Sequence, residues 1–545
     1  MQGRPVKWWG WGWDDRSVPL ESKPGLQAFL RKALDLRDED MLRVPEPSSV
    51  PVPASRLTDP DRAELRRIVG EEGIAVSDFN RLSHALGKSY RDLLRIRLGR
   101  YRPVPDVIVF PEEDEDVRRL LEFCGDRNYA VVPFGGGTSV VGGVEIADAL
   151  RPHVCLDLRR MRRVLEVDEV SLTATAQAGI RGPLFEEVLG ARQLSAGHLP
   201  QSFEFSTLGG WIAARSTGAW SNRYGKIEDL VVGVRMIAPT GTYDLRSRPR
   251  HAMGSDLLGL AVGSEGVLGV ITQATVRVHR APQDRAFETI VFPGFREGLD
   301  ALRGMAQDGV PPDSAYLMDE EETRMNTAAS GAAHGIGPAL LRARGFSLDQ
   351  ASVLLLGYEG ARDVVREHLS IGKRYCRAGL AIGSGPAEQW ERERFDAPYL
   401  RDSLIDHRIL VDTLETAAVW SRLERLYVEV CKALVNAIWS GGSKALVGCH
   451  ISHVYPEGAS LYFTYMARQR LGEELPQYDA VKAAVTRAIV DAGGVLSHHH
   501  GIGVDHAAYL KEALGDGPYR LLRDVKRILD PKGIMNPGKL VRGAA

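Results

Sequence analysis

Apolar and polar positions change period several times along the chain, and each change marks an element. Val107, Ile108, Val109 and Phe110 form a short β-branched and aromatic run, which predicts a buried strand. After Pro111 and the acidic start Glu112-Glu113-Asp114, Val117, Leu120, Leu121 and Cys124 recur at i, i+3, i+4 and i+7. That spacing puts one apolar stripe on a helix. A second strand is predicted at Ala130-Val131-Val132, running into Pro133, Phe134, Gly135, Gly136, Gly137, Thr138 and Ser139. Strand, helix, strand and glycine loop is a nucleotide-binding cadence, and the alternation persists to about Val278.

Outside that stretch the pattern differs. Residues 24–42 and 60–100 read as helices with polar faces, joined by a Pro-rich tether at 44–54. From about 284 onward helices and strands mix with fewer glycine clusters, with strands expected at Ser352–Leu356 and Ala459–Phe463. Residues 324–345, rich in Ala, Gly and Arg without a period, read as a mobile loop. Two amphipathic helices close the chain, one carrying Val481, Val485 and Ile489, the other Leu521, Leu522, Val525, Ile528 and Leu529, with Asp530-Pro531 as its stop. The expected division is a helical region at 1–100, a nucleotide domain at 101–283, a substrate-capping domain at 284–490, and a C-terminal segment at 491–545.

Composition narrows the class. A chain of 545 residues has room for several domains and a core able to enclose a cofactor. Its net charge of −2 supplies no field to draw it onto nucleic acid, so no nucleic-acid partner is expected. The 57 glycines exceed the ordinary share and imply places where backbone passes close to something. Five scattered cysteines lack disulfide or zinc spacing and suit a reducing cytoplasm. The start shows no apolar signal core and no long apolar run follows, so neither export nor membrane spanning is expected. Trp8, Trp9, Trp11 and Trp13 form either a plug against the body or a foot in a membrane interface.

The chemistry-bearing motifs each carry two readings. The bend at 135–137 is not a dinucleotide fingerprint, since Val140 stands where the last glycine belongs, and Gly87-Lys88-Ser89 is not a P-loop, since Leu82 replaces its first glycine. What remains is a run of backbone amides with two hydroxyls, either an anion nest or an ordinary turn. Gln201–Gly210 and Glu265–Ile271 add permissive backbone of the kind that flanks a long extended ligand. Ser497-His498-His499-His500-Gly501 is either a solvated turn, an acid–base group working near neutral pH, or part of a metal site with His450 and His453.

Pro-Phe-Gly-Gly-Gly-Thr-Ser, Glu-Phe-Ser-Thr-x-Gly-Gly-Trp, Tyr-Gly-x-Ile-Glu-Asp-Leu-Val-Val and Gly-Ser-Glu-Gly-x-Leu-Gly-Val-Ile-Thr occur here in order. Together they resemble the vanillyl-alcohol-oxidase/PCMH-type FAD-binding flavoproteins. Within them, from Trp9-Gly10-Trp11-Gly12-Trp13 to Asn536-Pro537-Gly538-Lys539, the chain is similar to the alkyldihydroxyacetone phosphate synthase family of ether-lipid enzymes. The resemblance implies an α+β fold, a two-lobed PCMH-type FAD-binding domain plus an α/β cap, with a helical N-terminal region and a helical C-terminal tail. It implies FAD contacts at Pro133 to Ser139; at Gln201, Ser202, Phe203, Glu204, Phe205, Ser206 and Thr207; at Ala214, Arg215, Ser216 and Thr217; and at Glu265, Gly266, Val267, Leu268, Gly269, Val270 and Ile271. Thr138 stands where bicovalently flavinylated relatives carry a linking histidine, so FAD is expected to be held noncovalently.

The resemblance also supplies roles. Tyr462 falls on the family's catalytic tyrosine, His498, His499 and His500 on its histidine run, and Arg401 on its substrate-binding arginine; no metal is implied. A guanidinium fork suits a phosphate or carboxylate. By itself Tyr462 is a core aromatic and Arg401 half of a surface pair with Asp402. Two family arginines are replaced, by Tyr316 in Ser314-Ala315-Tyr316-Leu317-Met318-Asp319 and by His450 in Cys449-His450, and Tyr316 suits a neutral or carboxylate group. The implied reaction exchanges the acyl chain of acyl-dihydroxyacetone phosphate for a fatty alcohol without net redox. The rival is a 2-hydroxy-acid dehydrogenase or oxidase of the same superfamily, whose metal ligands are replaced here at Tyr462 and His499. Expected partners are a lipid-like substrate, a membrane surface in peripheral contact, and a second copy in a homodimer.

Overall fold

The computed structural model describes residues 4–37, 41–101, 103–245, 251–330, 345–347 and 349–541. The chain divides into two compact units: 44–218 with 225–280 and 499–545, and 1–43 with 219–224 and 281–498. Both mix helices with sheets, an α+β fold.

The first unit carries two main sheets. In one, Val107–Val109, His153–Asp157 and Ala130–Phe134 run parallel, and Ile74–Ala75 closes the edge antiparallel to Val107–Val109. The all-buried run Val107-Ile108-Val109 is what a parallel sheet covered on both faces requires. Helix Asp114–Arg127 buries Val117, Leu120, Leu121 and Cys124, the stripe read from the sequence. The other sheet has five antiparallel strands, ordered Val164–Asp168, Thr173–Gln177, Val270–Arg277, Val231–Ala238 and Gly241–Leu245.

Seven antiparallel strands make the sheet of the second unit, in the order Leu380–Gly383, Asp284–Phe292, Ser352–Gly360, Ser314–Met318, Ala445–Ile451, Gly458–Arg468 and Ile409–Val419. Helix Trp420–Ser440 buries Leu423, Leu426, Val430, Leu434 and Ile438 at helical spacing.

Several expectations are corrected. The division at 100 does not hold, because residues 44–100 belong with the first unit through the pairing of Ile74 with Val109, while 1–43 belong with the second. The helix expected over 24–42 is Pro24–Leu34 and stops where Asp35 turns left-handed at φ 55°. The stretch 60–100 breaks into Asp59–Val69, Asp78–Ser83 and Tyr90–Arg97, with Gly70 at φ 80° ending the first. Residues 320–330 form a helix, Glu320–Ser330, where a loop was expected from 324; residues 331–344 of that expected loop lie outside the described residues. The last helix, Asp516–Leu529, buries its apolar stripe only in part: Leu529 is buried, while Leu521 is 67% and Ile528 69% exposed. Lys526 turns inward instead, donating to the carbonyls of Val267 and Met535 at 2.7 Å.

Candidate active site

In the first unit the strand Ala130–Phe134 delivers the bend 135–137 at its carboxyl end. Gly137 has φ 64°, and a Cβ on Gly136 would overlap the carbonyl of Phe205, so only glycine lets these two segments touch. The N–H groups of Gly136, Gly137 and Thr138 donate to no acceptor among the described residues. Successive amides left in that state form a cradle for an anion. Thr207 caps helix Leu208–Ala214, and the Trp211 indole donates to Ser206 Oγ at 2.7 Å. Arg215 ends that helix at φ 53°, and Ser216 Oγ meets His198 Nε2 at 2.7 Å.

The remaining segment locks onto the others. Gly263 and Glu265 donate their N–H groups to the carbonyls of Ile212 and Ala213, both at 2.9 Å, and a Cβ on Gly266 would lie 2.9 Å from the Pro133 ring. The four segments singled out in the sequence therefore come together in one unit. Val267, Leu268, Val270 and Ile271 are buried in its core, so their positions offer a ligand backbone only. Glu265 acts through its side chain instead. The carboxylate accepts from the N–H groups of Ile502 (2.5 Å) and Gly503 (2.8 Å) and so pins the chain just after the histidine run. Burial holds this carboxyl above the usual range. His499 and His500 pack ring on ring, 4.6 Å between centroids. The amide cradle and its hydroxyl flanks fit the diphosphate of FAD, with 133–139 and 201–207 the backbone that would hold it.

In the second unit, antiparallel register aligns His450, Tyr462 and Glu415 directly opposite one another on three adjacent strands. The His450 ring lies 4.7 Å from Tyr462 and 4.0 Å from Tyr316, nearly parallel to both. Trp390 extends the series, 5.1 Å from Tyr316. Glu322, on helix Glu320–Ser330, accepts from Tyr316 Oη at 2.6 Å and from His450 Nδ1 at 2.9 Å. Tyr462 Oη donates to Thr413 Oγ1 at 3.1 Å. Burial pushes the Tyr462 phenol up to about 12, with the Thr413 hydroxyl and the Arg401 charge pulling the other way. Tyr316 is pushed well above its ordinary value by burial and by the Glu322 charge.

Glu415 reaches from the sheet to the histidine run, accepting from Ser497 Oγ at 2.7 Å and from the His498 N–H. His498 Nε2 is 2.7 Å from Tyr455 Oη, and its ring lies 5.2 Å from His453. Arg401 sits on helix Ala397–Asp406. Its neighbour Asp402 is no surface partner: it is buried and accepts the Trp11 N–H at 2.7 Å. Trp11 and Trp13 are buried, which makes the tryptophan-rich segment a plug. Among the described residues no group of three or more His, Cys, Asp or Glu side chains is placed to hold a metal ion. Sequence reasoning missed Glu322, Thr413 and Glu415, each bonded to residues distant along the chain. The available signal was Gly448, two positions before His450: a Cβ there would lie 2.8 Å from Glu322 Cβ, so glycine admits the helix to the strand.

Residues 105–244 match the FAD binding domain family, and residues 281–540 match the C-terminal domain of FAD linked oxidases. The chain is 34% identical to an alkyldihydroxyacetonephosphate synthase of Dictyostelium discoideum, the match covering 98% of this chain and 93% of the other. To the enzyme of the same name in Trypanosoma brucei brucei it is 33% identical, over 98% and 92%. A solved alkyldihydroxyacetonephosphate synthase structure superposes with a TM-score of 0.84 at 32% identity, covering 98% of this chain and 97% of that one.

Proposed function

The chain belongs to the alkyldihydroxyacetonephosphate synthase family of FAD enzymes, and from that premise we propose that it exchanges the acyl chain of acyl-dihydroxyacetone phosphate for a fatty alcohol in ether-lipid synthesis. The observation that carries the reading is the row His450, Tyr462 and Glu415, which gathers acid–base groups on one sheet face beside Arg401, whose charge acts on Tyr462.

Bound FAD, held noncovalently, supplies the flavin N5 chemistry through which the acyl and alkyl groups trade places without net oxidation. The protein's own groups do the rest. Arg401 holds the anionic headgroup through charge-assisted hydrogen bonds. Tyr462, a protonated phenol that burial pushes up to about 12, gives a proton at the reacting atoms. His498, fixed by Tyr455 and Glu415, leads a histidine run that passes protons onward. Tyr316 and His450 shape the headgroup's surroundings.

Transfer of label from hexadecanol into an ether product is the test. Rapid bleaching of the flavin by D-lactate or D-2-hydroxyglutarate, with no ether formed, would overturn the reading. The relatives named as D-lactate dehydrogenases are more distant, 25% identical for that of Danio rerio, and do not favour the rival.

A long-chain substrate resides in bilayers, so peripheral contact with a membrane from the cytoplasm is part of the proposal. No described helix is long and apolar enough to cross a membrane. The exposed Leu521 and Ile528, with Arg520, Arg523 and Arg527 on the same helix, Asp516–Leu529, offer a surface for such contact. Liposome flotation of Leu521→Glu reads it out, and sedimentation of the purified protein reads the homodimer that accompanies the proposal.

A further inference from the structure

Glu322 and two stacked rings hold His450 in one orientation. Its Nδ1 lies within hydrogen-bond distance of both Glu322 oxygens, at 2.9 and 3.1 Å. A carboxylate only accepts, so the hydrogen sits on Nδ1. Nε2 is then the nitrogen left with a lone pair, and it has no hydrogen-bonding partner among the described residues. The ring cannot swing away, because Tyr316 and Tyr462 stack on it at 4.0 and 4.7 Å.

Glu322 is placed as firmly. Its side chain is 5% exposed, Tyr316 Oη donates to the same oxygen at 2.6 Å, and Asp319 Oδ1 takes its N–H at 2.8 Å. Gly448 lets the helix lie against the strand, since a Cβ there would sit 2.6 Å from Met325 Cε and 2.8 Å from Glu322 Cβ. A carboxylate that fixes the tautomer of an imidazole, and neutralises the charge when the ring takes a proton, is the arrangement that makes histidine a general base.

We propose that Glu322 is a positioning residue that holds His450 with its hydrogen on Nδ1, so that Nε2 serves as the base for the hydroxyl of the incoming fatty alcohol. This rests on the exchange reaction set out above. As the alcohol oxygen forms its bond to the substrate carbon, its O–H bond breaks and the proton passes to Nε2. The imidazolium is balanced by Glu322 and then yields the proton to solvent, while the displaced acyl chain departs as a carboxylate with its own electron pair. The ligand class at this position is therefore a hydrogen-bond donor, R–OH. Other charged groups nearby are Glu415 and Asp412 on the next strand but one, Arg401 acting on Tyr462, and Asp319 at the helix start; none of them is bonded to the ring.

Two measurements on the FAD-loaded enzyme test this. Nitrogen-15 spectra of histidine-labelled protein in alkaline buffer, with His450 assigned as the signal lost in His450→Gln, are expected to show hydrogen on Nδ1. Hydrogen on Nε2 in the wild type overturns the proposal whether or not any variant folds. In kinetics, Glu322→Ala is expected to slow label transfer from hexadecanol at least tenfold, and by a clearly larger factor than it slows alcohol-independent release of the fatty acid. Glu322→Gln, which keeps an acceptor oxygen, recovers at least part of the loss. Equal loss in both half-reactions overturns the role of base. If the wild type releases no acid and forms no ether, the exchange reading itself fails, and the nitrogen spectra still decide the placement of the proton.

Discussion

The backbone N–H of Trp11 donates to Asp402 Oδ2 at 2.7 Å, one residue away from the arginine proposed to hold the substrate's anion. Tyr399 on the same helix offers its hydroxyl to the Trp13 N–H at 3.1 Å, and Lys7 lies 5.1 Å from the Tyr399 ring. The tryptophan-rich segment thus clasps the Arg401 helix on its Tyr399–Asp402 side. Gly12 sits at φ 76°, and a Cβ there would overlap the Tyr399 hydroxyl. Gly12→Ala is expected to cost about 1–3 kcal/mol and to raise KM for the anionic substrate more than it lowers kcat. Thermal melts and steady-state kinetics check both, and an unchanged KM would separate the clasp from Arg401.

Gly136→Ala tests the cradle. The new methyl would overlap the Phe205 carbonyl, so the bend and the 205–207 segment must part. The amides of Gly136, Gly137 and Thr138 then lose their common direction, and FAD affinity is expected to fall at least tenfold while the second unit's sheet keeps its stability. Equilibrium dialysis against FAD, alongside circular dichroism, measures both.

The cradle was legible because its cause is local. Three adjacent glycines after a strand mark a place where backbone bends and comes close to something, and helix Asp114–Arg127 declares itself through four apolar residues at helical spacing. The acid–base cluster was half legible. Tyr462 and His450 face each other only because Gly458–Arg468 and Ala445–Ile451 pair in one register, which no short window of sequence states. Glu322 was hidden twice over. It lies 128 residues from His450, and its helix has Thr, Asn and Ala where an apolar stripe would have announced it. Asp319-x-x-Glu322 is a helix-start spacing, and Asp319 does accept the Glu322 N–H. The stripe of the last helix was legible only in part: Leu529 is buried while Leu521 and Ile528 face outward, because an apolar face shows that a helix forms, not which side the protein buries.

Asp319 makes stability depend on pH. Burial, reinforced by the nearby Glu322 charge, lifts its carboxyl from 3.8 to about 7 despite bonds from Cys449 N–H, Glu322 N–H and Tyr427 Oη. A group whose folded value exceeds its unfolded one contributes its full stability at acid pH and loses it as pH rises through the folded value. Stability is therefore expected to fall from about pH 4, just above the unfolded value of 3.8, to about pH 7, and to level off above that. In Asp319→Asn the whole curve lies lower, yet its slope loses one proton, about 1.4 kcal/mol per pH unit. Denaturant melts across that range report the slope, and parallel curves for the two proteins would refute the assignment.

Glu415 is the sharpest test of how the histidine run is aimed. It stands in register with Tyr462 on the neighbouring strand, and its carboxylate takes both the Ser497 hydroxyl and the His498 N–H. One side chain thus fixes His498 relative to the Tyr462 row, and a displacement of about 1 Å at such a point costs on the order of a hundredfold in rate. Glu415→Ala is expected to lower kcat for ether formation by about that factor, with FAD binding unchanged because the cradle lies in the other unit. Glu415→Gln retains one acceptor oxygen and so keeps one of the two anchors, placing its rate between those of the wild type and the alanine variant. Should Glu415→Ala turn over at the wild-type rate, His498 takes no part in the exchange, and proton transfer falls to Tyr462 and His450 alone.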